Sequence, residues 1–280
     1  MLHSSERKGP LCIAAAALCW SFGGLCIKFI PWGAMGIIGL RSLLAALLFT
    51  FYNKSIKINF TPGNILSAIC LSGTTLLFVF ANKLTTAAAA IILQFTSPIF
   101  IILINLSLYK KKPKTSEIIA VTFTFIGMLM FFFDSLEAGN LLGNLLAISS
   151  GLFFAGVFIF NKREDTNPDQ ALFFGFLINA IIGIPFAFFE ATADPLAWGL
   201  IIFMGLVQVG LAYIFFSIGI KRTSALFACL IAALEPVLNP IWVALFTGEV
   251  PGMFAVTGGV VIIVTVVSYN VWVEKHIRVL

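Results

Sequence analysis

Histidine and charge are both scarce in this chain. Its two histidines, His3 and His276, stand in the terminal tails, so none is available along the body of the chain for a buried metal site or for general-base chemistry. No GxxxxGK[ST], GxSxG or HExxH pattern occurs, which removes the usual signatures of an ATP-driven motor, a serine hydrolase or a zinc protease. The five cysteines make no framework. Cys12, Cys19 and Cys26 recur every seven residues, on one helix face about 10 Å apart per step, too far for one metal ion to bridge two thiolates, and Cys70 and Cys229 are isolated. Neither a cofactor, a metal nor a nucleic-acid partner is expected. Charged residues form only 10% of the 280 positions, against about a quarter in soluble domains.

What fills the space is apolar: hydrophobic residues are 60% of the chain and the mean hydropathy is +1.06. A bilayer core about 30 Å thick needs about 20 apolar residues per helix. On that scale the chain reads as ten runs, at 10–30, 34–52, 64–82, 86–109, 115–133, 140–161, 169–190, 196–218, 224–246 and 251–273. The expected fold is therefore an all-α integral membrane protein with the lipid bilayer as its solvent. A β-barrel is not expected, because the runs are unbroken at helical length and do not alternate. The first run is too long for the apolar region of a cleaved signal, about 7–15 residues.

Basic residues set the orientation. With both termini inside, the inner segments hold Arg7, Lys8, Lys54, Lys57, Lys110, Lys111, Lys112, Lys114, Lys162, Arg163, Lys221, Arg222, Lys275 and Arg278, which is 14 of the 17. The outer side keeps Lys28 and Lys83 beside the acidic Asp134, Glu137, Glu190, Asp194 and Glu249. Both termini are expected in the cytoplasm.

A repeat lies inside this pattern. At a shift of 138 residues, Lys83, Thr85, Ala87, Ala90, Pro98 and Pro113 fall on Lys221, Thr223, Ala225, Ala228, Pro236 and Pro251. Five runs separate the copies, so they are expected upside down relative to each other, as two five-helix halves at 1–138 and 139–280 around a central cavity. Inverted halves can exchange two packings, each open to one side of the membrane, which is the architecture of alternating access.

The chain resembles the EamA-type branch of the drug/metabolite transporter superfamily over essentially its whole length. The residues that carry the resemblance are "CWSFGGLCIKF" (19–29), "LRSLLAALLF" (40–49), "TTAAAAIILQFTSPIF" (85–100) and "GLVQVGLAYIFFSIGIKRTSALFACLIAALEPVLNPIWVALFTGEVP" (205–251). Where the family's first half often reads Gly-Glu after its fourth helix, this chain has Lys110 and Lys111, whereas the second half keeps Gly248 and Glu249. The resemblance implies a secondary carrier of small organic solutes across the plasma (inner) membrane of a prokaryote, with export of amino acids or related metabolites as the leading expectation and uptake or exchange as the alternative. A membrane enzyme and a non-transporting sensor are the other classes weighed. Missing catalytic patterns speak against the first, and tails of about nine and seven residues against the second.

Polar residues within apolar runs are the candidate pathway. A carboxylate at mid-bilayer costs roughly 2.5–3.5 kcal/mol on insertion scales and normally faces the bundle interior. Glu235 is thus a candidate for proton coupling, for counter-charge to a cationic solute, or for structural pairing with Arg41. Arg41, about two turns into the second run, is able to snorkel, pair or grip a carboxylate. Trp20, Ser21, Gln94, Asn179, Gln208, Tyr213 and Asn239 complete the set, each also able simply to bond between helices. Pro98, Pro236 and Pro240 are expected kinks, since each removes a helical hydrogen bond and frees a carbonyl. Gly23, Gly24, Gly73, Gly156 and Gly210 are read as close-packing points.

Overall fold

The computed structural model describes residues 2–54, 59–134, 140–247 and 252–277, and among them every regular element is a helix. We number the helices α1 (Leu2–Trp20 continued by Gly23–Phe29), α2 (Ala34–Asn53), α3 (Pro62–Leu84), α4 (Ala87–Gln94 continued by Ser97–Leu108), α5 (Thr115–Asp134), α6 (Leu141–Phe160), α7 (Pro168–Glu190), α8 (195–220), α9 (Ala225–Ala232 continued by Leu234–Thr247) and α10 (Met253–Ile277). Eight of these are long and apolar enough to cross a membrane; the apolar stretches Thr115–Met130 of α5 and Ala225–Asn239 of α9 are shorter. Lys57, Glu137, Gly248, Glu249, Pro251 and Arg278 lie outside the described residues, as does the side chain of Pro240.

Short polar signals start the helices. Thr86 and Ser224, 138 positions apart, accept from Ala89 N and Phe227 N at the head of α4 and of α9. Asn167 and Asp194, each followed by proline at the first helical position, do the same for α7 and α8. The burial pattern is inverted relative to a soluble protein. Arg41, Gln94, Asn179, Gln208 and Glu235 are buried, while Phe51, Leu141, Phe188, Phe189 and Leu245 are exposed. Apolar surface on that scale fits hydrocarbon, where only helices with internally satisfied backbones are stable. The chain is a multi-pass membrane protein.

Helix neighbours follow a pattern. α2 packs on α7 and α5 on α10; α3 on α6 and α1 on α8; α3 on α7 and α2 on α8; α4 on α6 and α1 on α9. Exchanging each helix for the one five places away turns α2–α7 and α5–α10 into themselves and every other pair into another member of the set. At the α2–α7 crossing backbone meets backbone: a Cβ on Gly39 would run into the backbone of Gly183 and Ile184, and one on Gly183 into the backbone of Gly39. The five glycines read as packing points also fit that role. An added Cβ on Gly23 would meet Gln208 Nε2, on Gly73 the Phe153 ring, and on Gly210 the Gly205 carbonyl.

At the end of the bundle carrying Lys28 and Lys83, the two lysines cross over. Lys28 Nζ donates to Thr85 O at 2.7 Å and Lys83 Nζ to Ile30 O at 2.7 Å, so each satisfies a carbonyl at the end of the other's helix. Glu190 Oε2 accepts from Gly36 N at 2.6 Å beside them. At the other end Arg163 pairs with Asp165 at 2.8 Å, and Asp165 also accepts from Gly63 N.

Candidate functional site: a closed cavity at the helix breaks

Four helices lose regular α geometry at the same level of the bundle. α1 stops at Trp20 and restarts at Gly23, α4 is interrupted at Phe95 and Thr96, α9 at Ala233, and α8 winds as a π-helix over Met204–Leu211. Proline accounts for two of the breaks, since Pro98 and Pro236 cannot donate to the carbonyls of Gln94 and Ala232. The interruptions at 95–96 and 233 are therefore equivalent in the repeat. Gly23 and Gly24 follow the α1 break, and Gly205 and Gly210 lie inside the π-helical stretch of α8.

A cavity of about 40 Å³ lies where these breaks meet. Trp20 (α1), Arg41 (α2), Thr74, Thr75 and Phe78 (α3), Gln94 (α4), Phe154 (α6), Gln208, Val209 and Tyr213 (α8) and Glu235 (α9) line it. Six of the nine expected pathway residues thus converge, from both halves of the chain. Room for roughly three water molecules is far below the several hundred Å³ of a small-molecule pocket, so this conformation is closed around its centre.

The lining is polar and incompletely satisfied. Gln94 Nε2 donates to Ser150 Oγ at 2.8 Å, and Ser150 Oγ donates to Thr74 O at 3.0 Å. Gln208 Nε2 reaches Trp20 O, a carbonyl released by the α1 break, at 3.3 Å, while Gln208 Oε1, Trp20 Nε1 and Arg41 Nε have no hydrogen-bond partner. Arg41 is 4% exposed, so it faces the cavity and does not snorkel, and Glu235 is 5% exposed. Among the described residues the ion pairs are Arg163–Asp165 and Lys221–Asp169, and Arg41 and Glu235 make none. Tyr213 lines the same cavity as both.

Aromatic rings crowd the cavity wall and its neighbourhood. Trp20, in the lining, packs against Tyr213, Phe154 and Phe216 with centroids 5.0, 5.8 and 5.8 Å apart. In a second cluster Phe22 stacks on Trp242 at 4.5 Å and 18°, with Phe203 edge-on at 5.6 Å.

Three expected residues do not line the cavity. Ser21 and Asn239 belong to a latch beside it: Asn239 Nδ2 donates to Ser21 O at 2.8 Å and Trp242 Nε1 to Ser21 Oγ at 2.7 Å, tying the α1 break to α9. Asn179 accepts from Ser72 Oγ at 2.6 Å, which fastens α7 to α3. Thr74, Thr75, Phe78, Phe154 and Val209 were not singled out from the sequence, because their residue types also fill lipid-facing positions. Glu235 and Ser97 are equivalents in the repeat, and Ser97 Oγ instead meets Cys229 Sγ at 3.2 Å between α4 and α9. Beyond that contact, an open hollow of about 860 Å³ spreads between the ends of α4, α6 and α9, where Lys111, Lys162 and Arg163 face Glu117, Glu164 and Asp165.

Known proteins resemble this chain in sequence and in fold. The model of the EamA-like transporter family matches residues 7–133 and again residues 141–271. The chain belongs to the EamA-like transporter family. Among the relatives of this EamA-like transporter, YwfM of Bacillus subtilis is 28% identical over 195 residues, covering 67% of this chain and 66% of that protein. The transporter YxxF of the same organism is 24% identical over 185 residues, covering 64% of this chain and 60% of its own length. The pseudopaline exporter CntI of Pseudomonas aeruginosa is 25% identical over 189 residues, covering 65% of this chain and 66% of the exporter. A solved crystal structure superimposes with a TM-score of 0.78 over 97% of this chain and 99% of that one; at 16% identity the likeness is one of fold. This EamA-like chain is a membrane transporter.

Proposed function

We propose that the chain is a secondary carrier that exports small organic metabolites, amino acids or related solutes, across the plasma membrane by alternating access. In this reading its ten helices span the bilayer as two inverted halves, 1–138 and 139–280, with both termini cytoplasmic. Pairing that survives exchange of each helix for its counterpart five places on supports the two-half architecture, as does the double family match. The observation that carries the function is the cavity: side chains from both halves meet where four helices break, the place where carriers of this kind bind solute at mid-membrane. Its small volume, about 40 Å³, fits a step of the cycle in which the centre holds no solute. Export rather than uptake is supported by the relative CntI, named an exporter, and by the wide hollow on the cytoplasmic side of the proposed orientation. Glu235, the one carboxylate among the lining residues, takes up and releases the coupling proton.

Counterflow in proteoliposomes tests this reading, with the wild type and Glu235→Gln set against a mixed panel of amino acids, polyamines, nucleosides and sugars read by mass spectrometry. Accumulation of a defined subset by the wild type is expected, with Glu235→Gln keeping exchange but losing proton-driven flux. A folded, inserted wild type that exchanges no panel member would remove the carrier reading, and a variant with unchanged proton-driven flux would remove Glu235 from coupling.

A further inference from the structure

Outside the cavity one polar side chain is left wholly unsatisfied. Asn82, on α3, is fully buried, and among the described residues neither its Nδ2 nor its Oδ1 has a hydrogen-bond partner. Buried amides in a helix bundle normally bond to a neighbouring helix, as Asn179 does with Ser72. An orphaned one costs the desolvation of each unmet group.

Its position is specific. Phe78, a cavity-lining residue, stands four positions before it, on the same face of α3 and about 6 Å along the helix. The second segment of α1, the end of α3 and the first segment of α4 pack on one another here. They meet most closely at Gly24, where an added Cβ would lie 3.0 Å from Ile91 Cδ1, 3.3 Å from Ala87 Cβ and 3.4 Å from Asn82 Nδ2. Trp20 and Gln94, on the same two partner helices, line the cavity. Beyond Asn82 come the crossed bonds of Lys28 to Thr85 O and Lys83 to Ile30 O. The amide therefore stands between the cavity and the lysine end of the bundle, in an otherwise apolar seam. Packing does not require it. In the repeat Asn82 falls on Ile220, which is also fully buried.

We propose that Asn82 is a second solute-binding station, one turn from the cavity toward the lysine end, whose amide bonds a hydrogen-bonding group of the solute once the three helices part. The proposal rests on the carrier reading above and adds a contact on the route to and from the cavity. A carboxamide both donates and accepts, so the station reads a polar group of the solute irrespective of its charge. In the closed packing the amide is unmet, and a solute that bonds it interacts with the open form alone. That differential interaction is the condition for a ligand to shift the balance between two forms.

The test uses the full-length protein in proteoliposomes, with counterflow of the amino acids, polyamines, nucleosides and sugars of the panel above and the thermal midpoint read by tryptophan fluorescence. Asn82→Leu keeps the branched skeleton and removes both unmet groups, so its midpoint should rise. Its counterflow of whatever the wild type exchanges should nevertheless slow by about fivefold, the ratio set by a typical hydrogen bond. Asn82→Ala should slow likewise, whereas Asn82→Ser, of similar size but with a hydroxyl, should recover most of the rate. Stability gained while transport is lost is a signature that a merely structural amide would not give. Wild-type rates in the Leu and Ala variants, equal slowing in Ala and Ser, or a lower midpoint in the Leu variant would overturn the station and leave the carrier reading standing. If the Leu variant does not fold, the Ala and Ser rates decide. A folded wild type that exchanges no panel member would take both down.

Discussion

The latch between α1 and α9 permits a quantitative forecast. Trp242→Phe keeps an aromatic ring to stack on Phe22 and removes only the indole N–H that donates to Ser21 Oγ at 2.7 Å. Ser21 Oγ keeps its own bond to Leu18 O, so no buried donor is orphaned. A neutral hydrogen bond contributes about 0.5–1.5 kcal/mol net. If that bond exists only while this side is closed, its loss multiplies the open-to-closed ratio by about 2–13. Hydrogen exchange read by mass spectrometry in nanodiscs measures the ratio. Amides of 22–29 should exchange faster by that factor, while those of 101–108, on the opposite side of the cavity, stay at their wild-type rate. Asn239→Leu should add to the effect, because it leaves the Ser21 carbonyl of the α1 break without its partner. Unchanged exchange at 22–29 in Trp242→Phe, or equal acceleration at both sites, would refute the view that this contact holds one side shut.

Other expectations follow from single contacts. Gly39→Val should lower the thermal midpoint in detergent steeply or prevent folding, because the obstruction is Gly183 backbone that cannot yield and overpacking costs about 1–3 kcal/mol even where side chains can move; Gly199→Ala, with nothing within 4 Å of the added methyl, should leave the midpoint unchanged. The hydrogen bond from Arg163 holds the Asp165 carboxyl below the usual carboxylate range. Its contribution is present above the unfolded value near 3.9 and is lost only as pH falls through the folded one, so folding stability should be flat from pH 5 to 8 in respect of this pair. Any pH dependence of transport in that window should therefore survive Asp165→Asn and disappear in Glu235→Gln, as pH-jump flux assays would show. Ser150→Ala should slow exchange without unfolding the protein, since it unties Gln94 from the Thr74 carbonyl at the cavity wall.

How far the site was legible in the sequence depended on whether a residue type was out of place. Arg41 and Glu235 are charges in apolar runs, and both line the cavity. Pro98 and Pro236 announced the breaks in α4 and α9 because a missing N–H acts locally. The break at Ser21 and Phe22 and the π-helical turn in α8 carry no proline, and the nearby glycines have packing duties of their own. Asn179 was as conspicuous as Gln94, yet its oxygen is taken by Ser72, a pairing between helices that no spacing along one chain reveals. For the same reason the meeting of Gly39 and Gly183 was silent, although it fixes how closely α2 and α7 approach. Phe154 and Phe78 were hidden by abundance, since thirty phenylalanines serve core, lipid face and cavity alike.

The serine that stands at position 97, where the other half has Glu235, limits the energetics of the machine. The repeat offers two equivalent places at the centre and only one of them is ionisable, so under the proposed carrier reading a cycle routed through this cavity carries a single proton. Each 100 mV of proton-motive force is worth about 2.3 kcal/mol per charge moved, equivalent to roughly a fifty-fold concentration ratio. That figure is a ceiling on the gradient the chain can sustain for a solute of no net charge, and a Ser97→Glu chain that folded and used both carboxylates would square it.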